Sequence, residues 1–283
     1  MSAPAINPAP RERREPGIRP GRHRRIERAP LPPGASLVET IPYTLTHRLL
    51  REVLEHRGCL ELSGPGGTGK TFAVDAYFAD RASDAVKIHL ESRVHGWGFL
   101  RRLVEELGGV PGGGSEALMD ALRDAVGGRH VYVYVDEADL LNRDSLRVLR
   151  YLRDQRDLWM AFVLVGTDFA PAYAKVPELW SRVTRRVSFA PLEGTSLVSA
   201  LAAYHPFLAA ADAPLLLAID AEHCQGNWRV WTTELETLLE YAARLGVAGL
   251  TREVAAAALG VTADASRARR GSRPLRAARG ARP

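Results

Sequence analysis

The octapeptide Gly64-Pro65-Gly66-Gly67-Thr68-Gly69-Lys70-Thr71 constrains this chain more than any other stretch of it. It satisfies G-x-x-x-x-G-K-[ST] in full. It lies between Cys59-Leu60-Glu61-Leu62, which reads as a short buried strand, and a helical run from Lys70 to about Asp80. The spacing has a chemical reason. Glycines let successive backbone N–H groups wrap phosphate oxygens, and the N-terminus of the following helix adds its partial positive charge. Lys70 supplies a point charge for β- and γ-phosphates, and the Thr71 hydroxyl is placed for Mg2+. Phe72 follows in the first helical turn, against the bound nucleotide.

A second block supports the first. Val131-Tyr132-Val133-Tyr134-Val135 is an uninterrupted β-prone run, as expected of a strand buried on both faces of a parallel sheet, and it ends in Asp136-Glu137. This is the Walker B pattern. Asp136 is read as holding Mg2+, directly or through water, and Glu137 as orienting and deprotonating the attacking water. ATP and Mg2+ are therefore the expected cofactors, and hydrolysis to ADP and phosphate the expected reaction. Asp136-Glu137-Ala138-Asp139 also spells DEAD. A helicase of that name needs a second RecA-like domain with further motifs, for which the chain has neither room nor residues.

Around these motifs strands alternate with helices. Helical periodicity runs from about Thr44 to His56, Trp97 to Leu107, Glu116 to Val126 and Ser145 to Gln155. Strand-like runs cover Ala85–Leu90, Met160–Val165 and Val183–Phe189. Alternation of this kind predicts an α/β fold with a parallel sheet. After Pro191 the character changes to Ala/Leu-rich helical stretches. The expected domains are an α/β nucleotide-binding domain over 38–191 and a small helical lid over 192–260.

Charge completes the division. The net charge is +5, but residues 1–33 carry +5 and residues 261–283 carry +6, leaving −6 for the body. The segments 1–37, rich in Arg and Pro, and 261–283, rich in Arg, lack apolar periodicity and are expected to be disordered. Arg-rich tails attract polyanions, nucleic acid being the common one. No run approaches 18 apolar residues and the N-terminus has no apolar signal core, so no membrane partner is expected. Two cysteines, Cys59 and Cys224, read as reduced thiols of a cytoplasmic protein.

Three later blocks bring in a family resemblance: Val163-Leu164-Val165-Gly166-Thr167, Leu179-Trp180-Ser181-Arg182-Val183-Thr184-Arg185-Arg186, and Gly226-Asn227-Trp228-Arg229. With the two motifs above they resemble AAA+ ATPases, whose core is an αβα sandwich followed by a helical lid. The resemblance implies that Thr167 is the polar sensor 1 residue, with Asp168 as the neighbouring option. It implies that Arg182, or else Arg185 or Arg186, is an arginine finger reaching a neighbouring subunit's γ-phosphate. It makes Arg229 the sensor 2 residue of the lid.

Within AAA+ proteins, residues 38–260 are similar to the TnsC/TniB-like and MuB-related regulators of DNA transposition. Origin-recognition initiators share nearly all of these motifs but append a winged-helix domain where a 23-residue Arg-rich tail follows here. A MuB-like helix-turn-helix domain has little room in residues 1–37. The resemblance implies a homo-oligomer, ring or helical filament, assembled with ATP on double-stranded DNA through phosphates rather than base edges. It implies a transposase and a target-selection protein as partners, in a bacterium, phage or mobile element. Expected DNA contacts are Ser92, Arg93 and His95, with Arg101 and Arg102 as further options. Trp97 and Phe99 are expected as core anchors. Other readings are an initiator or helicase loader, a STAND-like switch acting on proteins alone, and a scaffold that binds ATP without hydrolysing it.

Overall fold

The computed structural model describes residues 26–81 and 85–261. Of the two Arg-rich segments, residues 1–25 and 262–283 lie outside the described residues.

Thr40 starts the first helix, α1 (Ile41–Glu55), by accepting a 3.4 Å hydrogen bond from Tyr43 N–H, and Pro42 fits the first turn where its missing N–H costs nothing. These two residues set the start three positions before the Thr44 expected from periodicity alone. The chain continues through β1 (Cys59–Ser63), α2 (Lys70–Ala79), β2 (Ala85–His89), α3 (Gly96–Glu106), α4 (Ser115–Val126) and β3 (Val131–Asp136). A 3-10 turn over Ala138–Leu140 leads to α5 (Arg143–Asp154), β4 (Met160–Val165), the short α6 (Ala170–Lys175) and α7 (Pro177–Trp180), and β5 (Arg185–Ser188). The periodicity reading did not foresee α6 and α7, which are too short to carry a period.

The five strands form one parallel sheet in the order β2-β3-β4-β1-β5. Every residue of the central β4 is buried, which is why Met160–Val165 is apolar without alternation. One apolar layer on the sheet holds Phe99, Leu100, Leu103 and Leu122 of α3 and α4 with Leu146 and Leu149 of α5. The other holds Leu50 and Val53 of α1 with Ala73, Val74 and Phe78 of α2. Burying each large aliphatic side chain contributes about 1.5–3 kcal/mol, so these layers dominate the stability.

Residues 194–260 are helical: α8 (Gly194–Tyr204), α9 (Pro206–Ala209), α10 (Ala213–Ile219), a π turn over Asp220–Cys224, α11 (Trp228–Leu245) and α12 (Arg252–Leu259). They share a third core around Trp231, Leu235 and Leu238.

Two expectations need correction. Residues 26–37 are not loose. Ile26 is buried in the layer under α1, Leu31 and Ala35 rest on the lid core, and Ser36 N–H donates to Tyr204 O at 2.7 Å. Proline-rich composition lacks periodicity, yet this strap gains its order from the surfaces it crosses. Trp97 is not a core anchor: it is 54% exposed, while Phe99 is fully buried. The inward face of α3 runs through Gly96, Phe99, Leu100, Leu103 and Val104, and Trp97, in the first turn, lies at the edge of that face.

Candidate functional site at the carboxyl edge of the sheet

Because all five strands are parallel, their carboxyl ends share one edge, where α/β sheets hold ligands. In register there, Leu62 faces Val165, Ser63 faces Ser188 and His89 faces Asp136. The glycine loop after β1, the acids after β3 and Thr167 after β4 are brought together by topology alone.

Gly64 leaves β1 at φ 138°, with its N–H donating to Thr167 O at 3.0 Å. A Cβ at Gly64 would lie 2.0 Å from Phe189 O, so no other residue fits without moving β5. The loop turns through Thr68, whose hydroxyl donates to Pro65 O at 2.8 Å. Helix α2 then starts at a left-handed Gly69 with no side-chain cap, which leaves its first N–H groups for an anion. Lys70 is 8% exposed, and its ammonium donates to Gly64 O at 2.6 Å and Pro65 O at 2.7 Å. Burial pulls its pKa below the ordinary lysine value, while Glu137, Asp136 and Asp139 push it back.

The Thr71 hydroxyl donates to Asp136 Oδ1 at 3.2 Å. A hydroxyl and a carboxylate at that spacing are hard oxygen donors suited to Mg2+, which takes few protein ligands and keeps waters and phosphate oxygens. Among the described residues no group of three His, Cys, Asp or Glu side chains forms a fuller cage. Glu137 follows in the left-handed region, φ 56°, and is exposed. That conformation costs roughly 1–2 kcal/mol for a non-glycine residue. It aims the chain so that Asp136 stays buried while Glu137 faces the cavity.

The lid closes over this edge. Trp228 N–H donates to Gly67 O at 2.9 Å, and Asn227 Nδ2 donates to Gly66 O at 3.2 Å. Asn227 Oδ1 accepts from the N–H groups of Arg229 (3.0 Å) and Val230 (3.3 Å), so one side chain caps α11 and grips the glycine loop. The open cleft between lid and sheet, of about 450 Å3, lies within the range of ligand pockets. Lys70, Thr71, Phe72, Asp136, Glu137, Thr167 and Arg229 all line it. Asp168 is engaged elsewhere, accepting from Ala170 N–H at 2.9 Å to start α6.

The sequence reading missed the wall opposite the glycine loop, made by Pro32, Val38 and Tyr43 of the strap and α1 with Tyr204, Trp228 and Thr232 of the lid.

The three arginines considered as fingers do not line this cavity. Arg182 pairs with Asp154 at 2.9 Å, Arg185 with Glu52, and Arg186 with Glu61 at 3.5 Å. Ser92, Arg93 and His95 are exposed on the segment after β2, which bridges through Val94 to Leu141 beyond β3. His95 Nδ1 lies 3.1 Å from Asn142 Nδ2. Arg101 is exposed and Arg102 half-buried.

Sheet order, phosphate loop, paired acids and lid define an AAA-type P-loop ATPase domain. The comparisons agree: residues 51–172 match the family model described as AAA domain. Solved structures supply the fold likeness. Aeropyrum pernix ORC2, in ADPNP and ADP complexes, is 17% identical with a TM-score of 0.58, over 84% of this chain and 71% of that one. A chain of Drosophila ORC bound to DNA is 16% identical with a TM-score of 0.59, over 90% and 70%. The Thermotoga maritima RuvB Holliday junction branch migration motor is 15% identical with a TM-score of 0.53, over 77% and 68%. No protein of curated function matches the sequence. Among the described residues no helix is long and apolar enough to cross a membrane.

Proposed function

We propose that the protein binds ATP with Mg2+, assembles into a homo-oligomer on double-stranded DNA, and hydrolyses ATP to time its own disassembly, as a regulator of DNA transposition. The observation that carries the catalytic part is the convergence of Lys70, Thr71, Asp136, Glu137, Thr167 and Arg229 on one cavity closed by the lid.

In this reading the loop N–H groups of Gly66–Thr71 and the Lys70 ammonium hold the phosphates, exchanging the Gly64 and Pro65 carbonyls for phosphate oxygens. Thr71 and Asp136 hold Mg2+, which supplies charge neutralisation on the phosphate oxygens. Glu137 orients a water and accepts its proton. Thr167 holds that water or the γ-phosphate from the β4 side, and Arg229 engages the nucleotide from the lid. Electrostatic positioning of this kind provides most of the catalysis in phosphoryl transfer.

Arg182, Arg185 and Arg186 lie away from their own cavity, which suits a finger that serves a neighbouring subunit; Arg182 is the preferred one. Ser92, Arg93, His95, Arg101 and Arg102 are the proposed DNA contacts. They sit on a surface raised beside β2 and β3, so repeated subunits would add small phosphate contacts along a duplex. The likeness to a DNA-bound ORC chain supports a DNA partner, and the transposition branch rests on the resemblance of residues 38–260 to TnsC/TniB-like regulators, whose motifs the initiators largely share. The proposed setting is the cytoplasm of a bacterium, or a phage or mobile element within one, with a transposase and a target-selection protein as further partners.

The test is phosphate release with Mg2+ and ATP, with and without random-sequence duplex. Turnover stimulated by any duplex is expected. Turnover without response to DNA would remove the DNA partner and leave a protein-directed switch, and stimulation by one origin-like sequence alone would favour a replication initiator.

A further inference from the structure

The side of Asp136 turned away from Thr71 is occupied by polar side chains that the catalytic reading does not use. Lys87, on β2, places its ammonium 2.8 Å and 2.9 Å from the two carboxylate oxygens of Asp75 and 3.8 Å from Asp136 Oδ2. The same ammonium lies over the Tyr134 ring, 4.9 Å from its centroid. His89 Nδ1 is 3.6 Å from the same Asp136 oxygen. Asp75 lies on α2, one helical turn beyond Thr71, and both it and Asp136 are buried.

We propose that the Asp75–Lys87 pair is a positioning device for the metal-binding carboxylate: it holds Asp136 Oδ2 so that Oδ1 is presented to Thr71 and the Mg2+ of the nucleotide. This rests on the reading of Thr71 and Asp136 as the Mg2+ site.

The roles of the two residues follow from charge and shape. An isolated ammonium near Asp136 would oppose a cation at that carboxylate. Asp75, bidentate on Lys87, cancels most of that field at a distance, so orientation outweighs repulsion. Lysine suits the place because one compact ammonium lies against both Asp75 oxygens and still comes within 3.8 Å of Asp136 Oδ2. The chain uses 35 arginines and only three lysines, at 70, 87 and 175, and two of the three stand at this site. Carboxylates that bind metals are themselves commonly fixed by outer partners, whose removal costs about 10–100-fold in metal affinity or activity.

The experiment uses the full chain and Asp75→Leu/Lys87→Met, which removes both charges of this partly buried pair together; replacing even a buried pair by apolar groups of similar size is commonly tolerated. Binding of a fluorescent ATP analogue is titrated first in EDTA, then against Mg2+, with the melting temperature as a folding control. Expected is metal-free nucleotide affinity within about twofold of the parent, with the Mg2+ midpoint raised about tenfold or more. If the double variant melts below the assay temperature, Asp75→Asn, which unclamps the ammonium without removing it, carries the same expectation. A folded variant with the parent's Mg2+ midpoint overturns the proposal and leaves the pair as packing. Equal loss of metal-free binding also overturns it, since the effect would then lie in the glycine loop. Failure of the Mg2+-site reading itself is distinguishable: the parent protein would then show no Mg2+ dependence of nucleotide binding.

Discussion

Trp228 donates its backbone N–H to the carbonyl of Gly67 at 2.9 Å, so the first turn of the lid helix α11 is bonded to the phosphate loop itself. The lid is thereby coupled to any ligand that moves that loop. Asn227 is the second link, and Asn227→Ala removes both its grip on Gly66 and the α11 cap. We expect a loss of about 1 kcal/mol in stability, read by denaturant midpoint, together with weaker nucleotide binding. Gly67→Ala attacks the same junction, because its Cβ would fall 2.0 Å from Asn227 Oδ1 at a residue with φ 75°.

Lys70→Ala is expected to abolish nucleotide binding while leaving the fold intact, since the ammonium bonds only loop carbonyls. Calorimetric titration with undiminished affinity would contradict the phosphate-loop assignment.

Glu137→Gln is expected to bind ATP normally and to lose turnover by about 100-fold or more, the scale of general-base catalysis. The assembled state should then persist. Phosphate release together with sedimentation reads both effects, and normal turnover would remove Glu137 from its role as base.

Arg182→Ala is expected to cost less than about 1 kcal/mol of stability, because its pair with Asp154 is exposed. It should spare ATP binding and abolish turnover of the assembled protein. Restoration of turnover by mixing with Glu137→Gln subunits, which bind ATP, assemble and keep Arg182, would show that the arginine acts in a neighbour's site.

Glu61 makes stability depend on pH. It is buried in β1, where burial pushes its carboxyl up to about 7, with Arg186 opposing and Asp168 reinforcing the rise. Its folded pKa lies above the unfolded value, so the folded state holds the proton more tightly. The contribution is fully present below about pH 4.5 and is lost as pH rises through about 7. The shift corresponds to about 3 kcal/mol. Glu61→Gln should flatten the fall in stability across that window, as followed by urea denaturation at several pH values.

What was legible in the sequence was local. Gly64–Thr71 and Val131–Glu137 each carry their geometry within one turn or strand, so spacing alone located them. The strap was not legible, because Leu31, Ala35 and Ser36 are ordered by Tyr204 and the lid, far away in sequence. Trp97 was misplaced because its phase matches Leu100 and Val104, while its place in the first turn of α3 leaves it at the edge of the packed layer, 54% exposed. The Asp75–Lys87 pair spans α2 and β2, and nothing in either segment announces it. The finger arginines sit where periodicity is silent, on and beside the short α7 and β5.

The central claim is ATP-gated assembly on DNA, and the most direct test is binding to random-sequence duplex. Fluorescence anisotropy would follow it with and without a non-hydrolysable ATP analogue, at about 50 mM and 200 mM salt. Cooperative binding that requires the analogue and weakens steeply at the higher salt is the predicted result. Binding in no nucleotide state, or binding indifferent to the analogue, would contradict the claim.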